Sequence, residues 1–373
     1  MSRPSRRSRG TVTIDDVARA AGVSAMTVSR VVNGENNVRD TTRSKVLQAI
    51  EKLNYTPNAA ARNLAAGEAT HVGLLYANPS AAYLSQFLVG VLDGARKAGC
   101  HLVIEVCESE SADEQAEATR RFASTNVEGV ILPPPLSESH AVLSELAAAG
   151  MPVVTVAKGM GRVELPLNVR IDDFAAAREM TEHLLGLGHR RIGFIKGHPN
   201  QVASHERERG FVAALEAAGL DAAEAPMEQG YFTFRSGLVA AERLLARDER
   251  PTAIFASNDD MAAAVVSVAH RHALDVPRDI SVVGFDDTAL ATTVWPELTT
   301  VKQPVAAMAE AALELLLADL RLRRSAGSTE SAERVLEHEL IVRESSAPPA
   351  PGSVSQDKDP PAKRARKRRS AAA

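Results

Sequence analysis

With 373 residues, 45% hydrophobic side chains and a net charge of −4, the chain has room for two or three domains and apolar material for a core in each. No apolar run approaches the roughly 20 residues of a membrane span, no apolar signal core follows the Arg-rich start, and two cysteines, Cys100 and Cys107, give neither a disulfide framework nor a metal spacing, so a reducing cytoplasm is expected. The charge is segregated: residues 1–70 carry five more cations than anions and residues 345–373 another five, leaving −14 on residues 71–344, as suits a nucleic-acid contact at one end.

Residues 1–11, with Arg3, Arg6, Arg7 and Arg9, lack periodicity and are expected to form a disordered basic arm that adds phosphate contacts. From Thr13 to Asn33, TIDDVARAAGVSAMTVSRVVN predicts two short helices joined by a tight turn. Thr13 can cap the first, whose apolar positions are Ile14, Val17, Ala18 and Ala21; Gly22 supplies the turn and Val23 packs inward. Ser24 can cap the second, with Val28, Val31 and Val32 facing back and Ala25, Met26, Ser29 and Arg30 facing out. Such a row of small, apolar and cationic side chains suits base edges in a major groove, although an ordinary helical hairpin shows the same periodicity. A third helix over 42–53, capped by Asp40 or Thr41 and ended by Tyr55 and Pro57, closes a three-helix domain over 12–57. Asn58 can cap the Ala-rich stretch NAAARNLAA, which falls short of the ~12–15 residues an isolated helix needs and should fold only when buried.

From His71 the pattern changes. Apolar strands such as HVGLLYA, CHLVIEVC, GVILPPP, PVVTVA, RIGFIKG, TAIFAS and SVVGFDD alternate with helical segments, and RVLEHELIVRE at 334–344 is expected as one closing strand. Alternation of this kind predicts doubly wound parallel sheets, and the length of the region, 71–346, predicts two similar subdomains with a ligand cleft between them. A Pro-rich and then basic tail, 347–373, is expected to be disordered and holds no apolar heptad.

The order of these parts, with TIDDVARAAGVSAMTVSRVVNG, LNYTPNAAARNLAAG, LGHRRIGFI, SNDDMA, SVVGFDD and PELTTVKQP, resembles the lactose/galactose-repressor (LacI/GalR) family of transcription regulators over about Thr11 to Ser345. The resemblance implies a helix-turn-helix head, a hinge helix in 58–70 and a body of the periplasmic sugar-binding type. It places Ala25, Met26, Ser29 and Arg30 in the major groove, Thr27 and Asn33 on phosphates, and Asn58, Arg62 and Leu64 in the hinge, with Leu64 wedged into the minor groove. A pair of such wedges implies a homodimer on a near-palindromic operator. For the cleft it implies effector contacts by Tyr83, Arg207, Phe232, Asn258 and Asp286, a set suited to a sugar's hydroxyls. Ala157, followed by Lys158, stands where some relatives place a ligand-binding acid.

The expected function is a sugar-released repressor of carbohydrate uptake or catabolism genes, with a co-repressor of purine type as the alternative sign. A secreted sugar carrier would need a leader and no basic head. An enzyme would need a phosphate-binding or nucleophilic motif, but GLLYANPS follows the first strand, and His189, His198 and His205 have no metal spacing. No metal or cofactor is expected.

Overall fold

The computed structural model describes residues 12–32, 38–53, 70–157, 167–325 and 331–350. The basic arm, Asn33, Asn58, Arg62, Leu64, Lys158 and the basic end of the tail lie outside the described residues. The chain forms two compact units, one of residues 1–70 with 96–101 and the other of the remainder.

In the first unit, helix α1 (Ile14–Ala21) starts at a capping box: the Thr13 hydroxyl accepts from the Asp16 amide while the Asp16 carboxylate accepts from the Thr13 amide. Gly22 ends it at φ 66°, a left-handed conformation that a side chain would strain. Ser24 caps helix α2 (Ala25–Val32) through the Thr27 amide, 3.2 Å away, and helix α3 (Asp40–Leu53) follows. The Arg39 carbonyl accepts from the amides of Thr42 and Arg43, so α3 begins ahead of the cap expected at Asp40 or Thr41. Val17, Ala18, Val28, Val31, Val46 and Ala49 form the core of the three helices. Ala25 corrects an expectation: it is partly buried and packs on that core, because the first turn of α2 lies against its neighbours. Met26, 64% exposed, and Arg30 do face outward. Val28→Ala should cost about 2 kcal/mol by leaving a void in this small core, read as a roughly 30-fold rise in amide exchange of α1–α3 in the full chain.

The second unit carries two six-stranded sheets. In chain order its elements are β1 (His71–Tyr76), α4 (Ala81–Ala98), β2 (His101–Val106), α5 (Ala112–Ala123), β3 (Gly129–Leu132), α6 (His140–Ala148), β4 (Val153–Val156) and β5 (Leu167–Arg170). Then come α7 (Asp173–Gly186), β6 (Ile192–Lys196), α8 (Val202–Ala217), β7 (Met227–Gln229), α9 (Phe234–Leu245), β8 (Ala253–Ala256), α10 (Asp259–Arg271), β9 (Ser281–Asp286) and β10 (Thr299–Lys302). Helix α11 (Val305–Arg324), β11 (Ala332–Val335) and β12 (Glu339–Ile341) complete it. The strand orders are β11-β5-β4-β3-β1-β2 and β12-β10-β9-β8-β6-β7. Pairing is parallel within β1–β3–β4–β5–β11 and β7–β6–β8–β9–β10, and β12 runs antiparallel to its neighbour β10. The central strands β3, β4, β8 and β9 are buried along their whole length, as a sheet covered by helices on both faces requires.

The chain passes between the sheets at β5–α7, β10–α11 and β11–β12. The last crossing corrects the expectation of a single strand over 334–344. Its first part adds to β5 and its second to β10, so the chain must leave one ladder before it can join the other. Strands β5, β7 and β10 are three or four residues long and too short for periodicity to mark.

Candidate functional site

The carboxyl ends of the strands converge on a cleft of about 540 Å³, counting its open mouth. The segment after β1 contributes Asn78, Ser80 and Tyr83; that after β4, Ala157; and the first crossing, Ile171 and Asp173. The second sheet supplies Gln201 and Arg207 after β6, Phe232 after β7, Asn258 after β8, Asp286 at the end of β9 and Gln303 after β10. Ligands of open α/β sheets bind at such ends, where loops leave the strands in opposite directions. Ala157, Phe232 and Asp286 hold φ values of 78°, 59° and 111° in this cleft. Strained backbone of this kind persists only where the surroundings enforce it, and it gathers at functional sites.

Arg207 is the centre of the polar wall. A Cβ on Gly210 would lie 2.3 Å from the Phe174 carbonyl oxygen, so the missing side chain lets α8 approach α7 closely. That approach sets Arg207 Nε 2.9 Å from Asp173 Oδ1, while its Nη1 donates to the Ser257 carbonyl at 2.5 Å. Asp286 Oδ1 is 3.7 Å from Nη1, and the guanidinium lies 3.6 Å from the centre of the Phe285 ring. All three charged groups are buried. Burial pushes both carboxyls above the ordinary range, Asp286 well above it, with Arg207 opposing the shift in each case. Gln303 Nε2 donates to Asp286 Oδ1 at 2.6 Å and fixes its orientation.

Phe232, Tyr83 and Asn258 also line the cleft. Phe232 fits because Gly197 has no side chain; a Cβ there would lie 2.1 Å from the ring. The Tyr83 phenol is buried, which raises its pKa, and the negative charge of Asp286 adds to the shift. Asn258 is chiefly structural in its bonds: its Oδ1 caps α10 through the Met261 amide and its Nδ2 donates to the Phe232 carbonyl. The five sequence-predicted cleft residues are thus brought together. Sequence reasoning missed Asp173, Gln201, Gln303 and Ser80. Gln201 is 6% exposed, and its side-chain amide makes no hydrogen bond among the described residues, which leaves it available to a ligand.

Side-chain and backbone hydrogen bonds join the halves around the cleft. Ser80 Oγ donates to Asp260 Oδ2 at 2.7 Å, Gln86 Nε2 to the Asp287 carbonyl at 3.1 Å, and the Val202 amide to Glu138 Oε2 at 2.7 Å. Among the described residues no cluster of His, Cys, Asp and Glu could hold a metal ion, and no helix is long and apolar enough to cross a membrane. In the first unit, Met26, Ser29 and Arg30 share one side of α2, and the Thr27 hydroxyl lies 2.9 Å from that of Ser24.

Residues 13–58 match the bacterial regulatory proteins of the lacI family, and residues 181–346 match the periplasmic binding protein-like domain. The chain is 37% identical over 307 residues to catabolite control protein A of Priestia megaterium, covering 82% of this chain and 91% of that protein. Among solved structures, a complex of the transcriptional regulator CelR with cellobiose superposes with a TM-score of 0.68 at 32% identity, covering 90% of this chain and 99% of the other. The lac repressor dimer bound to operator and the anti-inducer ONPF gives 0.66 at 27% identity, covering 91% and 100%.

Proposed function

Because the chain belongs to the lacI family of bacterial regulatory proteins, we propose that it is a repressor of carbohydrate uptake or catabolism genes that leaves its operator when a small sugar-like effector fills the cleft. The observation that carries this reading is the cleft itself, where an aromatic ring, an arginine, two aspartates and an unengaged glutamine amide face one space. Hydroxyls of a sugar both donate and accept, and this wall offers both partners. Likeness to a relative solved with cellobiose supports the ligand class, and likeness to a repressor dimer on operator supports the partner and the assembly.

The head reads DNA through Met26, Ser29 and Arg30 in the major groove, with Thr27 and Asn33 on phosphates. Asn58, Arg62 and Leu64 act at the minor groove between two copies of the chain on a near-palindromic site. Each copy acts as a regulator rather than as an enzyme, in the cytoplasm. The effector works through the contacts that join the halves of the body. A ligand that binds one arrangement of the halves better than the other shifts their populations, and with them operator affinity.

Arg30→Ala should weaken operator binding by about 1–3 kcal/mol, as loss of a two-pronged guanine contact does. Binding to unrelated DNA at the same salt should change far less. The function itself is tested by titrating DNA from upstream of the gene and its neighbours, with and without mono- and disaccharides, at fixed salt. Footprinted binding released by a sugar is expected. Binding that a small molecule strengthens would replace the reading by a co-repressor of purine type, and folded protein without specific DNA binding would leave only a ligand carrier.

A further inference from the structure

Resting on the cleft as the effector site, we infer that it selects its ligand by charge: it takes an unphosphorylated, uncharged sugar and excludes the same sugar bearing a phosphate or carboxylate. Two devices by which proteins hold an anion, a cation and a helix N-terminus, are present at the cleft, and both are engaged by the protein's own groups.

The first device is a cation. Among the described residues lining the cleft, Arg207 is the single one, and it faces both Asp173 at 2.9 Å and Asp286 at 3.7 Å. With both acids ionised the three groups sum to −1. With one acid protonated they sum to zero, and the wall becomes positive when both carboxyls have lost their charge. Recognition of a phosphate by arginine also uses two parallel N–H groups of the fork. Here Nε is committed to Asp173 and Nη1 to the Ser257 carbonyl, which leaves Nη2 to offer single bonds to a hydroxyl.

The second device is a helix N-terminus, where open amides and the helix dipole attract anions. Helix α8 begins beside the cleft, and Glu138 Oε2 fills its first amide, that of Val202. Helix α10 begins at Asn258, which takes the Met261 amide, and its first turn carries Asp259 and Asp260. The Asp172 carboxylate accepts from the Ala175 amide at the start of α7. At the start of α4 the Ser80 hydroxyl accepts from the Tyr83 amide and donates onward to Asp260. Around the cleft, helix ends that would draw in a phosphate thus meet carboxylates or capping side chains instead.

The inference places the signal in a reaction sequence. The effector is a sugar as released by glycoside hydrolysis or imported unmodified, and transfer of a phosphoryl group to one of its hydroxyls ends the signal. A regulator of this kind reports sugar that has not yet been committed to metabolism.

The test is isothermal titration of the full-length protein, with and without operator, against cellobiose, glucose, ribose and galactose and against glucose 6-phosphate, ribose 5-phosphate, galactose 1-phosphate and glucuronate. An uncharged sugar should bind, and its phosphorylated or carboxylated form should bind at least 100-fold more weakly at pH 7.5. In the sugar-binding variant Asp286→Asn that ratio should narrow, whatever happens to the absolute affinity. A charged form that binds as tightly as its parent, or tighter, overturns charge selection and leaves the sugar-controlled repressor standing. Binding of neither set overturns the carbohydrate reading of the cleft and this inference with it.

Discussion

Arg207→Met should lower the stability of the body by about 3–5 kcal/mol at pH 8, the usual cost when one partner of a buried ion pair is removed. The guanidinium is the opposing charge for both Asp173 and Asp286, and both carboxyls are already raised by burial. Without it their pKa values rise further. A carboxyl raised in the folded state contributes stability below its unfolded pKa, and loses that contribution as pH climbs through the folded value. The variant should therefore come closest to the parent in acid and fall furthest behind above neutrality. Urea unfolding of the body at pH 5 and pH 8 measures this. The double variant Arg207→Met/Asp173→Asn should regain part of the loss, since the amide needs no cation. A single variant whose deficit does not grow with pH would mean that lost packing on Phe285, rather than stranded charge, sets the cost. In either background the sugar response should disappear, because the donor that faces the cleft has gone.

What could be read from the sequence follows the distance over which each feature is determined. The caps of α1 and α2 depend on Thr13, Asp16, Gly22 and Ser24 and their immediate neighbours, so the local pattern reveals them. The buried strands of both sheets are legible for a similar reason, since continuous apolar runs bounded by turns mark a sheet covered on both faces. Ala25 was misplaced because exposure on a short helix is decided by α1 and α3, which a helical wheel does not contain. The segment at 334–344 shows one apolar pattern but serves two sheets, and nothing local says where it must break. In the cleft, the family resemblance pointed to Arg207. Its partner Asp173 lies 34 residues away in sequence and meets it through the glycine-permitted approach of α7 and α8. Gln201 carries no motif, and Gln303, although it lies inside PELTTVKQP, has no chemistry that marks it there, so the folded geometry is what distinguishes both from surface amides.

Glu138→Gln should make the body more stable at pH 8 by about 2–3 kcal/mol, an unusual direction for a substitution at a bonded polar group. The Glu138 carboxyl is raised to about 7, chiefly by burial, with the Val202 amide opposing the shift and the charge of Asp173 adding to it. Its Oε1 is buried with no partner, so ionisation places an extra half-charge where nothing receives it. The folded state then holds a proton that the unfolded chain has released, between the ordinary carboxylate value of 4.5 and about 7. Stability falls with rising pH across that window. A carboxyl raised from 4.5 to about 7 loses about 3 kcal/mol of stability across that window. Glutamine keeps an oxygen to accept from the Val202 amide and has no charge to bury, so the gain should vanish at pH 4 and be complete by pH 8. Asp259, raised to about 7 by burial despite bonds from Thr288 and Thr300, acts in the same direction, and the variant should keep that remaining slope. Urea midpoints at pH 4, 6 and 8 decide it. A variant no more stable than the parent at pH 8 would mean that Glu138 is worth more as an ionised cap on α8 than its burial costs. Because the Glu138–Val202 bond joins the two halves, the same substitution alters the energy of this arrangement of the cleft. The sugar concentration needed for release should then change with pH in the parent and change less in the variant.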